Sequence, residues 1–281
     1  MRGRYVQELL QLPTQPAVAA RVLELACAAG GADEGPFDEL TQVVATDPVL
    51  AARLLRLANS VQYGAPRLVS SVRHAVVLLG STAVAGLAVS SACQALGPQP
   101  TVGTDEPGTP EGFWEHALAT AAAASAVAGR LGHSPGDAFA VGLLHDLGSL
   151  LFHRRDPARA RAARLTPGGT ARRLAAELRA FGCTHAQAGA AALEAWSFPR
   201  PFVEAVLEHH GASEPGHALG RLVRVGEALA LVLQPAADHG DGADLERLLP
   251  AIGLRLSAAP GLLDEIAGRL DDATAVLGGG R

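Results

Sequence analysis

Apolar positions recur every three to four residues along most of the chain, and no stretch alternates convincingly at period two. The pattern predicts helices throughout, and their ends are marked by capping residues. "FDELTQVVA" starts near Asp38. "TDPVLAARLLRLANS" has Asp47 as N-cap and Pro48 at the first helical position, with Val49, Leu50, Leu54 and Leu57 as its apolar stripe. "SSVRHAVVLLG" ends at Gly80, and Ser81 opens "TAVAGLAVSSACQAL". Further on, "FWEHALATAAAASAVAGRLG" is alanine-rich and suited to close contact with neighbours. "SPGDAFAVGLLHDLGSLLFHRR" opens on Ser134 and Pro135, and "THAQAGAAALEAW" on a Thr184–Gln187 capping box. "GTARRLAAELRAFG", "PFVEAVLEHH", "HALGRLVRVGEALALVL", "ADLERLLPAIGLRL" and "PGLLDEIAGRLDDATAVLG" complete the series. The reading is an all-α, multi-helix bundle.

One stretch breaks the pattern. "GPQPTVGTDEPGTPEG", residues 97–112, crowds proline, glycine and threonine without apolar period and is expected to be a loop between two helical regions. In "RLANSVQYG", Asn59 and Ser60 are expected to end a helix, with Tyr63 and Gly64 in the turn; a ligand or partner pocket is the other reading of those residues.

Composition narrows the function classes. With 48% hydrophobic and only 4% aromatic residues, the core is built from small aliphatic side chains, which favours packed helices over a β-sandwich. The net charge of −5 gives no pull toward nucleic acid or anionic lipid. The helix after Gly80 lacks the arginine or asparagine that would reach a base edge, so no DNA partner is expected. All basic side chains are arginine, which excludes a Schiff-base or P-loop lysine. Cys27, Cys93 and Cys183 form no C-x-x-C pair and fit buried thiols in a reducing compartment. Glu8 and Pro13 interrupt any signal-peptide core, and the longest mild apolar run, residues 82–96, is shorter than the ~20 residues that span a bilayer. A cytoplasmic protein without membrane association is expected.

The candidate chemistry lies in the polar groups set inside apolar helices. His145 and Asp146 stand side by side in "DAFAVGLLHDLGSLLFHRR", residues 137–155. On one continuous helix they would point about 100° apart and could flank an ion. His209 and His210 form a second doublet; His116, His185 and Glu227 lie on other helices. Imidazole and carboxylate together suit zinc, iron, manganese or nickel. A lone helical histidine is more often a hydrogen-bonded core or surface group, the reading given to His74, His133, His153, His217 and His239.

The order His116, His145–Asp146, His185, His209–His210 resembles the HD superfamily of metal-dependent phosphohydrolases. The blocks "LPTQP", "DPVLAARLLRLANSVQYG", "SSVRHAVVLLG", "FWEHALATA", "AVGLLHDLGSLL" and "THAQAGAAALEAWSFPRPFVEAVLEHH" resemble, in order, those of the HDOD domain, from about Leu12 to about Gly211. That resemblance implies an N-terminal helical subdomain (residues 1–97), a linker (98–112), an HD-like helical subdomain (113–237) and C-terminal helices (238–281). It implies a bacterial signalling module, non-catalytic in many members, that acts through a protein partner or a nucleotide ligand. It also implies one or two divalent ions held by His116, His145, Asp146, His185, His209, His210 and Glu227, the last where the superfamily carries aspartate. The alternative is a working phosphohydrolase acting on a nucleotide or other phosphoester, with Asp146 as ligand and proton acceptor. Cyclic-dinucleotide phosphodiesterases of the superfamily carry a lysine after the dyad and a GYP tripeptide. Here the stretch is "HDLGS", with Ser149 in the lysine's place and no GYP, which argues against cyclic-di-GMP hydrolysis.

Overall fold

The structure, a computed structural model, describes residues 15, 17–19, 21–22, 25, 37–59, 69–95, 112–195, 198–210, 216–234 and 245–278. The expected linker (all but Gly112), Ser60, Tyr63, Gly64, Cys27 and His239 lie outside them. The described residues are helical and include no strand. In chain order the helices are α1 (Phe37–Val44), α2 (Pro48–Ala58), α3 (Val72–Ala95), α4 (Phe113–Arg130), α5 (Pro135–Leu144), α6 (Leu147–Arg155), α7 (Pro157–Arg164), α8 (Gly169–Phe181), α9 (His185–Ala195), α10 (Arg200–Glu208), α11 (Ala218–Leu233), α12 (Leu245–Ala251) and α13 (Ala259–Gly278). None of them is long and apolar enough to cross a membrane.

The caps form where the local chemistry calls for them. Asp47 Oδ1 accepts the backbone N–H groups of Val49 and Leu50, both at 2.9 Å, ahead of Pro48. Ser134 Oγ accepts the Asp137 N–H. Thr184 and Gln187 exchange the two bonds of a capping box, at 3.1 and 3.2 Å. Gly80 has φ 78° and divides α3 into two helical segments, as the glycine–serine junction implies. Asn59 is a structural staple: its amide donates to the Leu55 and Val69 carbonyls, and its oxygen accepts the Val69 N–H.

The helix α4 is the hub, packed against α5, α11 and α13. Its alanines allow backbones to approach unusually closely. A Cβ placed on Gly142 of α5 would lie 2.8 Å from Ala121 Cα, and one on Gly226 of α11 would lie 2.8 Å from Ala124 N. One apolar cluster joins α1–α3 to α5, α6, α9 and α10 through Leu40, Leu54, Leu144, Leu151 and Phe202; another joins α4 to α11–α13 through Val127, Leu229, Leu249 and Ile266. Each fully buried leucine contributes about 1.5–3 kcal/mol of transfer free energy.

Candidate metal centre

The continuous helix expected through "GLLHDLGSLL" does not form. Helix α5 stops at Leu144, His145 is its C-cap, Asp146 (φ −105°, ψ 15°) precedes α6, and α6 starts at Leu147. The dyad therefore straddles two helices instead of riding on one. The remaining candidates come from four other places: His116 from the first turn of α4, His185 from the first residue of α9, His209 and His210 from just beyond α10, and Glu227 from the middle of α11.

These seven residues converge. His185, His209 and His210 bring ligand atoms within 4.8 Å of one another, and so do His116, His145 and Glu227. The two groups adjoin: the His145 and His209 rings are 5.2 Å apart, and His210 Nε2 is 3.4 Å from Glu227 Oε1. Asp146 belongs to neither triplet but borders the first, its Oδ1 3.4 Å from His185 Nε2. All seven are buried or nearly so, from His185 at 0% exposure to His210 with 9% of its side chain exposed.

Hydrogen bonding determines which ring nitrogens face inward. His145 Nδ1 lies 2.6 Å from the Gly142 carbonyl, and His209 Nδ1 2.6 Å from the Val206 carbonyl. His185 Nδ1 lies 2.8 and 2.9 Å from the two carboxylate oxygens of Glu177. Carbonyls and carboxylates only accept, so each Nδ1 carries a proton, and in a neutral ring the bare nitrogen is Nε2. His185 Nε2 and His209 Nε2 face each other at 3.3 Å. Two lone pairs at that separation repel unless a cation lies against both. Donors about 2.1 Å from one ion sit about 3.0 Å apart in octahedral and about 3.4 Å apart in tetrahedral coordination. The donor set therefore fits a first-row divalent ion.

A family model of the HDOD domain matches residues 12–212, which hold every candidate ligand except Glu227. The chain belongs to the HDOD domain family. The HDOD chain is similar to the MmoQ response regulator of Methylococcus capsulatus strain Bath, with 27% identity over 90% of this chain and 97% of that one and a TM-score of 0.68. A candidate phosphohydrolase of Shewanella amazonensis SB2B shares 25% identity, with 97% of each chain covered and a TM-score of 0.51. A virulence factor of Campylobacter jejuni shares the fold at 18% identity, covering 97% of this chain and 100% of that one, with a TM-score of 0.66. A comparison with curated proteins finds no match.

Within this HDOD domain the electrostatics follow from burial. Desolvation pushes Glu227 up to about 8, with the Asp146 charge adding to it and Arg173 and Arg224 opposing. Burial, then the neighbouring imidazoles, hold His209 and His210 well below the usual histidine value. His145 is lowered by burial, against the pull of Asp146. The His145, His209 and His210 rings are thus neutral and available as donors.

Three contributors lie outside the motif. Arg224 donates to the Glu208 and His209 carbonyls at 2.8 and 3.1 Å, which holds the His209–His210 doublet at the end of α10. Arg173 and Glu177 of α8 are both buried; Arg173 Nε lies 3.2 Å from Glu177 Oε1, and its Nη2 lies 3.7 Å from Asp146 Oδ1. Ser149 Oγ donates to Asp146 Oδ1 at 2.7 Å. A serine thus occupies the lysine's place in the motif, and the cation beside the dyad is Arg173, from another helix. The only sequence signal for this pair is its i,i+4 spacing, which is equally the mark of an exposed helix pair.

Proposed function

We propose that the protein is a regulatory HDOD module of bacterial cytoplasmic signalling, working through a protein partner or a nucleotide ligand. Its helical core holds a centre of one or two divalent first-row ions (iron, manganese, zinc or nickel). The observation that carries the metal reading is the convergence of the His185 and His209 Nε2 atoms, 3.3 Å apart, with Asp146 Oδ1 alongside at 3.4 Å from His185. His185, His209, His210 and Asp146 would hold one ion, and His116, His145 and Glu227 a second. Burial of every donor supports a regulatory, helix-tying role, because a substrate oxygen would have to enter between packed helices to reach them. The name of the MmoQ relative supports the same reading.

A second reading, hydrolysis of a phosphoester, draws on the completeness of the donor set and on the candidate phosphohydrolase that shares 25% identity. An ion bound there would supply Lewis acidity. Asp146 would serve as the proton acceptor, with Ser149 and Arg173 holding its carboxylate. Ser149 in the lysine's place counts against cyclic-di-GMP as substrate.

Metal analysis by mass spectrometry on protein purified without chelator or histidine tag tests the proposal. Wild type is expected to carry about one or two equivalents, and a His145→Ala, Asp146→Ala double variant none. Equal, metal-free preparations of both would defeat it. Phosphoester turnover that disappears in the double variant would establish the second reading in place of the first.

A further inference from the structure

The arginine–glutamate pair of α8 is buried, ion-paired and absent from the motif that carries the resemblance. Besides its pair with Arg173, Glu177 is engaged with one residue, His185. Its Oε2 accepts the backbone N–H of His185 at 2.9 Å, and both of its oxygens lie within 2.9 Å of His185 Nδ1. The carboxylate therefore fixes the start of α9 and the ring it carries. Arg173 faces two carboxylates, Glu177 at 3.2 Å and Asp146 at 3.7 Å, and its Nη2 lies 3.4 Å from Ser149 Oγ.

Helix α8 buries this pair together with Phe181. On the same helix Leu178 is 47% exposed while Glu177 is 4% exposed, so α8 turns its acid inward and its leucine outward. An isolated buried ion pair often contributes little net stability compared with apolar residues of similar size. Its placement is explained by what it orients.

We propose that Arg173 and Glu177 are positioning residues for the His185 half of the metal centre. Glu177 holds His185 in the Nδ1–H form with Nε2 directed at His209, and Arg173 bridges Glu177 and Asp146. This rests on the metal reading above. The charge of Arg173 also reaches Glu227 and His145, whereas the hydrogen bonds of Glu177 go to His185 and Arg173, so it is Glu177 that acts on the His185 half. Carboxylates behind ligating histidines commonly change metal affinity by about 10–100-fold.

The test has two arms. Histidine ¹⁵N NMR on metal-free wild type reads the tautomer of His185 directly, with its signals assigned by their loss in His185→Asn. The Nδ1–H form is expected, and the Nε2–H form would overturn the proposal without any variant. Titration with Co²⁺, followed by its visible absorption, then compares wild type with Glu177→Gln and Arg173→Lys. Glu177→Gln is expected to weaken one class of site about 10–100-fold and leave the rest of the titration unchanged, with Arg173→Lys retaining most of the affinity. Wild-type binding with an unchanged Glu177→Gln titration would overturn this proposal alone. Absence of Co²⁺ binding by wild type would overturn the metal reading and this one with it.

Discussion

Asp47 shows what a single buried carboxyl does to this fold. Its two oxygens accept backbone N–H groups from Val49, Leu50 and Gln15, yet burial pushes it from 3.8 to about 6, against those bonds and the nearby Arg53. A carboxyl raised in the folded state binds more protons folded than unfolded between those two values. Its contribution is therefore fully present below about pH 3.8 and is lost as pH rises through about 6. The rise corresponds to about 3 kcal/mol. Asp47→Asn keeps an oxygen for the Val49 and Leu50 N–H groups but cannot ionise. Urea unfolding across pH 3.5–7 is expected to show the stability of the variant relative to wild type improving by up to about 3 kcal/mol toward neutral pH. A constant difference would mean that Asp47 titrates normally. Asn59 illustrates the opposite case: three hydrogen bonds to backbone groups explain it completely, and the described residues give it no further role.

Among the elements, the contact between α6 and α9 sets the register of the centre. A Cβ on Gly148 would lie 2.0 Å from the His185 carbonyl oxygen, a backbone atom that cannot swing aside. Gly148→Ala must therefore part the two helices and move His185. A loss of about 3 kcal/mol or more is expected in chemical denaturation, together with loss of metal from the His185 half. Gly268 in α13 has open space where a Cβ would stand, so Gly268→Ala is expected to add about 0.5–1 kcal/mol through helix propensity alone. If both changes cost the same, close approach is not the reason for Gly148. Capping chemistry made these helices legible: Asp47–Pro48, Ser134–Pro135 and Thr184–Gln187 all mark real starts. The break at His145–Asp146 was not legible, because the apolar residues on both sides keep helical spacing straight through it.

Across the whole molecule, the seven candidate ligands tie α4, the α5–α6 junction, α9, α10 and α11. An ion bound only by the folded state stabilises it by mass action, about 4 kcal/mol when free metal is a thousandfold above Kd. Chelation is therefore expected to lower Tm by several degrees, reversibly on adding metal back. The His145→Ala, Asp146→Ala variant should show no such response. A chelator-insensitive wild type would mean that the helices hold without an ion.

The sequence by itself determined the all-α class and most helix starts and singled out the candidate donors, because periodicity and caps are written within a few residues of where they act. Family membership was legible for the same reason, as ordered local blocks. Only the tertiary structure decided that the donors from five places meet, that Glu227 joins His116 and His145, and that α8 buries Arg173 and Glu177 while exposing Leu178. Those outcomes depend on which face of each helix meets its neighbours. For α8 the pattern offers a charged pair and leucines on adjacent faces, and the polar partners waiting inside, Asp146 and His185, stand far from it along the chain or beyond its end.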